Sequence, residues 1–95
     1  KVLEVKDFPE GKYSTHIVKI DFGKEIGTKK SLARLAPNYI GPELIGRQII
    51  AVVNFEPKQI GRHQSDALIL GLADAQGNVV LVFPEQAVPL GEKLH

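Results

Sequence analysis

The chain has 95 residues, of which 43% are hydrophobic and 24% are charged, and its formal net charge is +1 at pH 7. A chain of this length forms one small core, so we expect a single domain over residues 1–95, and its apolar content excludes a disordered protein. The balanced charge excludes nucleic-acid binding through global electrostatics, and only a local basic cluster could support it.

The cysteine count and the longest apolar run exclude further classes of protein. The chain has no cysteine, which excludes disulfides and thiolate metal sites and agrees with a reducing compartment, so we expect a cytoplasmic protein. The longest apolar run, Ala67–Ala73, is far shorter than the roughly 18 residues of a membrane helix, and we expect no membrane insertion. No secretory signal is visible. Because the sequence begins at Lys1 in what reads as a strand, we expect that upstream residues are missing from it.

The first third of the chain has the pattern of three strands. Val2–Val5 reads as the first strand, and Asp7–Gly11 contains the Pro and Gly of a turn. Thr15–Phe22 alternates apolar and polar residues, as a half-buried strand does. Gly23–Gly27 predicts a hairpin loop that leads into a third strand over about Thr28–Leu35, and the alternative for KKSLARL within it is one turn of helix.

The rest of the chain predicts a short helix and then further strands. Pro42 suits the first turn of a helix that Gly46 ends. Ile49–Phe55, Ala67–Ala73 and Val79–Phe83 read as strands. This order predicts an all-β protein with the OB-fold, a five-stranded Greek-key β-barrel with a short helix between strands 3 and 4 and with terminal extensions. The alternatives are an open β-sandwich and an SH3-like barrel.

Two of the predicted strands are apolar on both faces. Ile49–Phe55 and Ala67–Ala73 do not alternate, whereas a strand with one solvated face does. Their outer face therefore needs a cover, which could be the chain's own helix or a second copy of the protein. This pattern favours an oligomer.

Catalytic and metal-binding patterns are weak. Arg62–Asp66 places His, Ser and Asp close in sequence, but on an extended segment His63 and Ser65 lie about 6.5 Å apart along the backbone. No third group is evident to orient the imidazole, so we expect no enzyme. His16, His63 and His95 lack the spacing of zinc ligands. We expect neither a metal nor another cofactor.

Two basic clusters are the main functional signal. Lys29, Lys30 and Arg34 lie on or beside the third strand, and Lys58 and Arg62 lie on the loop before the fifth. In an OB-fold the face of strands 2–3 and the loop between strands 4 and 5 form one ligand cleft, so the two clusters would lie in the same cleft. Their positive charges could then bind the phosphate backbone of a nucleic acid. The alternative is that they are solvated surface charges. The predicted RNA-contacting residues are Lys29, Lys30, Ser31, Arg34, Asn54, Lys58, Arg62, His63 and Ser65.

The aromatic content decides which kind of RNA the cleft would suit. The chain has two Tyr and four Phe, and most of the Phe residues read as core. There is little material for the stacking platforms that bind single strands. Recognition of folded RNA by its shape is therefore the better prediction.

Four segments resemble one protein family. KIDFGKEIGTKKS (Lys19–Ser31), AVVNFEPKQIG (Ala51–Gly61), SDALILG (Ser65–Gly71) and VPLGEKL (Val88–Leu94) resemble the CsaA-type tRNA-binding domain, which is similar to the C-terminal domain of bacterial methionyl-tRNA synthetase. The resemblance covers essentially the whole chain. It implies a homodimeric OB-fold without catalysis. It also implies two ligands, tRNA and unfolded exported preproteins, with the export ATPase as a further partner.

The resemblance also implies site residues and shows departures. The Lys-x-Ser pattern of the family falls on Lys29–Ser31, its strand-4 Asn on Asn54, and its Ser-acid pair on Ser65 and Asp66. Asp66 is shorter than the usual Glu. Leu32-Ala33-Arg34 replaces a small, mostly polar run in the expected cleft.

A chaperone that holds unfolded preproteins is the alternative function. Leu32, Tyr39 and Ile60 are the candidates to line exposed apolar hollows for such clients, and the competing interpretation is that they belong to a dimer core. A third possibility is a dimerisation appendage of a larger enzyme.

Overall fold

The computed structural model describes all 95 residues, and the fold is mostly β with two short helices. The strands are β1 (Val2–Asp7), β2 (His16–Asp21), β3 (Thr28–Ala33), β4 (Ala51–Val52), β5 (Lys58–Ile60), β6 (His63–Ser65), β7 (Leu68–Ile69), β8 (Gly71–Ala73) and β9 (Val79–Leu81). The helices are α1 (Gly23–Ile26) and a 3-10 helix, η1 (Pro42–Leu44). No helix is both long enough and apolar enough to span a bilayer.

The first three strands form an antiparallel sheet in the order β1-β2-β3, which confirms the three strands predicted for this part of the chain. Val18 lies opposite Val5 on one side and Ser31 on the other. Because side chains alternate along a strand, Val18 and Ile20 point into the core while Lys19 points to solvent.

The core is small and joins both halves of the chain. A cluster of six buried residues contains Val2, Val18, Ile20, Leu35, Leu44 and Leu81. Leu44 comes from η1, at the position where the sequence predicts a short helix. Burial of such aliphatic side chains contributes about 1.5–3 kcal/mol each.

The chain turns sharply on either side of η1 because two glycines adopt positive φ angles. Gly41 precedes η1 with a φ of 109°, and Gly46 follows it with a φ of 89°. A Cβ atom on Gly41 would lie 3.0 Å from Val5 Cγ1 and 3.3 Å from His16 Cδ2. Gly41 is therefore required both by its backbone conformation and by the space available.

The strands of the second half are shorter than predicted because their pairing partners change. The run Ala67–Ala73 is divided into β7 and β8 at Leu70. The Leu70 N–H donates to Ile50 O in register with the β4–β7 pair, and Leu70 O accepts from Val82 N in register with the β8–β9 pair. The extended segment was predicted correctly, but a hydrophobic pattern does not reveal a change of partner within it.

The hairpin of β5 and β6 was predicted as a loop. Lys58–Ile60 pairs with His63–Ser65 across a turn at Gly61, whose φ is 61°. The opposed pair Gln59 and Gln64 is exposed. The hairpin has little apolar alternation, which is the signal that identifies a half-buried strand.

The chain does not cover the outer face of its second half. Leu68, Leu72 and Val80 are 53%, 69% and 42% exposed, and we call these three residues the apolar face. Of the two covers that the sequence left open, a helix of the same chain is not the one used, because α1 and η1 are short and η1 packs its Leu44 into the core.

Candidate nucleic-acid interface

An open groove of about 460 Å³ runs along the solvent face of the β1-β2-β3 sheet. Its titratable side chains are Glu4, Lys6, Lys19, Lys29, Lys30, His63 and Asp66, and Ile17 and Thr28 complete the lining. We call it the basic groove, since four lysines line it against two carboxylates.

The strand register explains why the lysines gather there. Lys19 lies opposite Glu4 of β1 and opposite Lys30 of β3. Residues that face each other across antiparallel strands point to the same side of the sheet. The alternation that buries Val18 and Ile20 therefore places Lys19 and Lys30 together on the solvent side.

Most of the groove's positive charge is not neutralised by the protein. Lys6 Nζ pairs with Glu4 Oε1 at 3.1 Å. No carboxylate lies within ion-pair distance of Lys19, Lys29 or Lys30. Three ammonium groups are therefore available to an anionic ligand.

The segment Ser65–Ala67, which we call the β3 clamp, fixes one wall of the groove. The Lys30 N–H donates to Asp66 Oδ1 at 2.6 Å, and Lys30 O accepts the N–H groups of Asp66 and Ala67. The Ser65 hydroxyl accepts the Leu32 N–H and donates to Ala67 O, both at 3.1 Å. The clamp holds β6 and the free edge of β3 together.

His63 enters the groove from the same hairpin. Its ring lies perpendicular to that of Phe8, with a centroid distance of 5.3 Å. Phe8 is only 3% exposed, whereas His63 is half-exposed and lines the groove. The His63 ring thus lies between the buried Phe8 ring and the charged side chains of the basic groove.

The structure brings part of the predicted RNA-contacting set together. Lys29, Lys30 and His63 line the basic groove. Lys58 and Arg62 are exposed on the β5–β6 hairpin, next to the groove but outside its lining, and Asn54 is exposed in the loop after β4.

Arg34 and the two serines of the set lie elsewhere. The Arg34 guanidinium donates to Asn78 Oδ1 at 3.4 Å and lines a second groove. Ser31 is fully buried, and its hydroxyl has no partner, while the Ser65 hydroxyl is occupied within the β3 clamp. Neither serine can reach RNA without opening the sheet, so both leave the predicted contact set.

Two groove lysines were missed by sequence reasoning. Lys6 and Lys19 line the basic groove but belong to strands that were read for their apolar residues. The outward position of Lys19 in an alternating strand was a usable signal. Its proximity to Lys30 required the strand register.

The second groove is apolar and has a volume of about 280 Å³. It lies between β3 and β7–β9, and Leu32, Leu68, Leu72 and Val79 are among its lining residues. Of the residues predicted to line apolar hollows, only Leu32 is among them. Leu32 is 6% exposed, so its predicted exposure is wrong: it lies on the paired strand β3, and its N–H is bonded to the Ser65 hydroxyl.

The other two predicted hollow-lining residues are half-buried in different places. The Tyr39 hydroxyl accepts the Leu81 N–H at 2.9 Å, which ties it to the core strand β9. Ile60 lies on the β5–β6 hairpin opposite His63.

Neither the clamp residues nor the titratable groups form an arrangement with evident catalytic chemistry. The Ser65 hydroxyl and one Asp66 oxygen bind backbone groups. No cluster of three or more His, Asp or Glu side chains is placed to hold a metal ion. What the site offers chemically is four lysines, one imidazole and two carboxylates in an open groove.

Comparison with known proteins identifies the class of molecule. Residues 1–93 match the family described as "Putative tRNA binding domain", and the chain belongs to this tRNA-binding domain family. This confirms the resemblance that the four sequence segments carry.

Curated relatives place the same domain within larger enzymes. The chain is 38% identical over 94 residues to methionine–tRNA ligase of Pyrococcus horikoshii, covering 99% of this chain and 12% of the ligase. It is 32% identical to the ligase of Methanococcus vannielii, covering 100% of this chain and 14% of that protein. The chain thus spans about an eighth of the length of these relatives.

Solved structures provide a second kind of relative. The chain is similar to the CsaA chaperone of Picrophilus torridus, with 44% identity and a TM-score of 0.89, covering 99% of this chain and 85% of that one. For CsaA of Bacillus anthracis the identity is 39% and the TM-score 0.87, over 100% of this chain and 85% of that one. A MetRS-related protein of Pyrococcus horikoshii, at 23% identity and a TM-score of 0.83, shares the fold.

Proposed function

We propose that the protein is a non-catalytic module that binds tRNA or similarly folded RNA in the basic groove. The observation that carries the proposal is that Lys19, Lys29 and Lys30 line one open groove without an ion-pair partner, and that Lys19 and Lys30 face each other on its solvent side. Membership of the tRNA-binding domain family supports the same ligand. Such a role suits the cytoplasm.

The architecture of this module is proposed as an OB-fold that works as a homodimer. The order of three meander strands, a short 3-10 helix and further strand pairs is the order of an OB-fold. The apolar face, Leu68, Leu72 and Val80, supplies a surface that a second copy could cover.

Binding of RNA through lysines has a measurable electrostatic signature. Each neutralised phosphate releases condensed counterions, so log K falls with log salt at about −0.7 to −0.9 per phosphate. Three lysine–phosphate contacts therefore predict a slope of about −2 to −3. Contacts from Lys58 and Arg62 on the neighbouring hairpin would make the slope steeper.

The test is tRNA binding by fluorescence anisotropy over a series of salt concentrations. We expect Lys19→Ala and Lys30→Ala to weaken binding several-fold and to reduce the salt slope by about one each. The matched control is Lys24→Ala, since Lys24 is exposed on α1 outside the groove. A flat salt response of the wild-type protein, or an equal loss in the control, would refute the proposal.

A second candidate function is a chaperone for unfolded preproteins, with the export ATPase as partner. The observation that favours it is the apolar groove beside Leu68 and Leu72, which are 53% and 69% exposed. Contiguous exposed apolar surface of this kind marks interaction sites. The similarity to CsaA chaperones points the same way.

Suppression of client aggregation at high salt tests this second candidate. We expect Leu68→Glu to reduce the suppression and Lys19→Ala to leave it unchanged, because an apolar groove does not depend on the lysines. Loss of suppression in high salt, or in Lys19→Ala alone, would show that the clients bind by charge instead.

A further inference from the structure

We propose that His63 is a stacking platform for one unpaired base of the bound RNA. The inference deepens the proposed RNA-binding function and rests on it. It adds a ligand class, since a stacked base must come from a loop, a bulge or a strand end. The low aromatic content of the chain gave no reason to expect such a platform.

The orientation of the ring leaves a face for a base. In a perpendicular pair the edge of one ring meets the face of the other, so Phe8 can cover at most one face of the His63 imidazole. The histidine is half-exposed and its side chain lines the basic groove. A flat base can therefore lie against it.

The platform is held in place before any ligand binds. His63 pairs with Ile60 across the hairpin, and the β3 clamp two residues later is bonded to Lys30 and Leu32. The buried Phe8 ring supports the imidazole from below. A preorganised ring loses little conformational freedom when a base stacks on it.

The groove that His63 lines offers charges of both signs to an RNA ligand. Lys19 and Lys30 attract phosphates, whereas the Asp66 carboxylate in the same groove repels them. One Asp66 oxygen accepts the Lys30 N–H, and the carboxylate makes no ion pair. Its other oxygen can accept an N–H group from the edge of a base. The Asp66 carboxylate therefore suits the edge of a base rather than a phosphate of the RNA backbone.

The test compares two RNAs, a hairpin with a single-stranded loop and a blunt duplex of the same stem, in variants that differ at the ring. Base stacking is worth about 1–3 kcal/mol, so we expect His63→Ala to weaken hairpin binding by about 5- to 140-fold and duplex binding far less. His63→Phe keeps a ring face and should retain most of the affinity. The salt slope should not change in either variant.

A second measurement reads stacking directly. With 2-aminopurine in the hairpin loop, we expect its fluorescence to be quenched on binding to the wild-type protein and to His63→Phe, but not to His63→Ala. The control Gln64→Ala removes an exposed side chain next to the ring and should leave the quenching intact. Thermal unfolding of each variant verifies that the hairpin stays folded.

The possible failures are distinguishable. If His63→Ala binds the hairpin as well as His63→Phe, or if the duplex loses as much affinity as the hairpin, the stacking inference is overturned. The lysine variants would still support RNA binding in the groove. If the wild-type protein binds neither RNA nor tRNA, the proposed function itself fails, and the inference with it.

Discussion

At the scale of single residues, the Thr15 hydroxyl links the backbone that follows β3 to the side chain of His16. It accepts the N–H groups of Leu35 at 2.9 Å and Ala36 at 3.1 Å, and it lies 2.8 Å from His16 Nδ1. Because it already accepts two N–H groups, its own proton is directed at Nδ1. On the other side of the ring, His16 Nε2 lies 3.4 Å from Asp7 Oδ1.

Removal of this hydroxyl should destabilise the fold. Thr15→Val keeps the shape of the side chain but leaves two backbone N–H groups and one imidazole nitrogen without partners. We expect a loss of about 1–3 kcal/mol in the free energy of unfolding, measured by urea denaturation. The control is Thr28→Val at an exposed position of β3. Equal stability of the two variants would contradict the assigned role of Thr15.

Asp74 gives the stability of the turn before β9 a dependence on pH. Hydrogen bonds from the Asn38 side chain, and then from the Asn78 and Gln76 N–H groups, lower the pKa of this carboxyl from its usual 3.8. A lowered pKa in the folded state means that the ionised form is favoured by folding. The stabilisation is complete above pH 3.8 and is lost as the pH falls through the lowered pKa.

Asp74→Asn should remove this part of the acid dependence. We expect the variant to be less stable than wild type at neutral pH, with the difference shrinking as the pH drops below 3.8. Urea denaturation across acidic pH values measures it. Glu85→Gln, at an exposed position, should keep the wild-type profile. A stability difference that stays constant down to the lowest pH would argue against a lowered pKa for Asp74.

At the scale of elements, the β3 clamp joins the fold to the site. The Ser65 hydroxyl satisfies the Leu32 N–H at the open edge of β3, and the adjacent Asp66 positions the Lys30 backbone. A clamp made of a short polar side chain replaces the strand that would otherwise pair with this edge. It therefore fixes the distance between the lysines of β3 and the ring of His63.

Ser65→Ala should weaken both stability and the groove. We expect a loss of about 1–3 kcal/mol in unfolding free energy, because the buried Leu32 N–H loses its partner. Amide hydrogen exchange of Leu32 should accelerate in the same variant. Ser14→Ala is the control, since Ser14 is half-buried and lies outside the clamp. Unchanged exchange at Leu32 would show that another group supports this edge.

The elements also show what a sequence can and cannot predict. Alternation of side chains located β2, the turn residues around it located β1 and β3, and Pro42 with Gly46 located η1, because these signals are local. The partner switch at Leu70 depends on strands far along the chain. Likewise, the sequence alone does not distinguish a buried serine such as Ser31 from an exposed one, because burial is decided by tertiary packing. The gathering of Lys19 with Lys30 follows from register, which the pattern of either strand alone does not fix.

At the scale of the whole molecule, the apolar face is the feature that a single chain leaves unexplained. Leu72 and Val80 are directly opposed on β8 and β9, and Leu68 continues the surface. The sequence predicted apolar residues on both sides of the run Ala67–Ala73, and its Leu68 and Leu72 are exposed in one copy of the chain. Association of two copies would remove it from water.

A charge in the middle of the apolar face should prevent this association. We expect the wild-type protein to sediment as a dimer at micromolar concentration and Leu72→Glu to sediment as a folded monomer, since burial of an unpaired carboxylate is costly. Leu94→Glu, at a position of the tail that is 74% exposed, serves as the control. A wild-type protein that remains monomeric would rule out the dimer.

The facing pair Lys19 and Lys30 has one more implication. The backbone groups of Lys30 bond to Asp66 and Ala67 rather than to β2, so this cross-strand pair is of the non-hydrogen-bonded kind, in which side chains come closest. Like charges opposed in this way are destabilising. A phosphate bound between the two lysines would reduce their repulsion. Lys30 faces only Lys19 across the sheet, so Lys30→Gln should yield a protein with a higher melting temperature and a lower affinity for RNA.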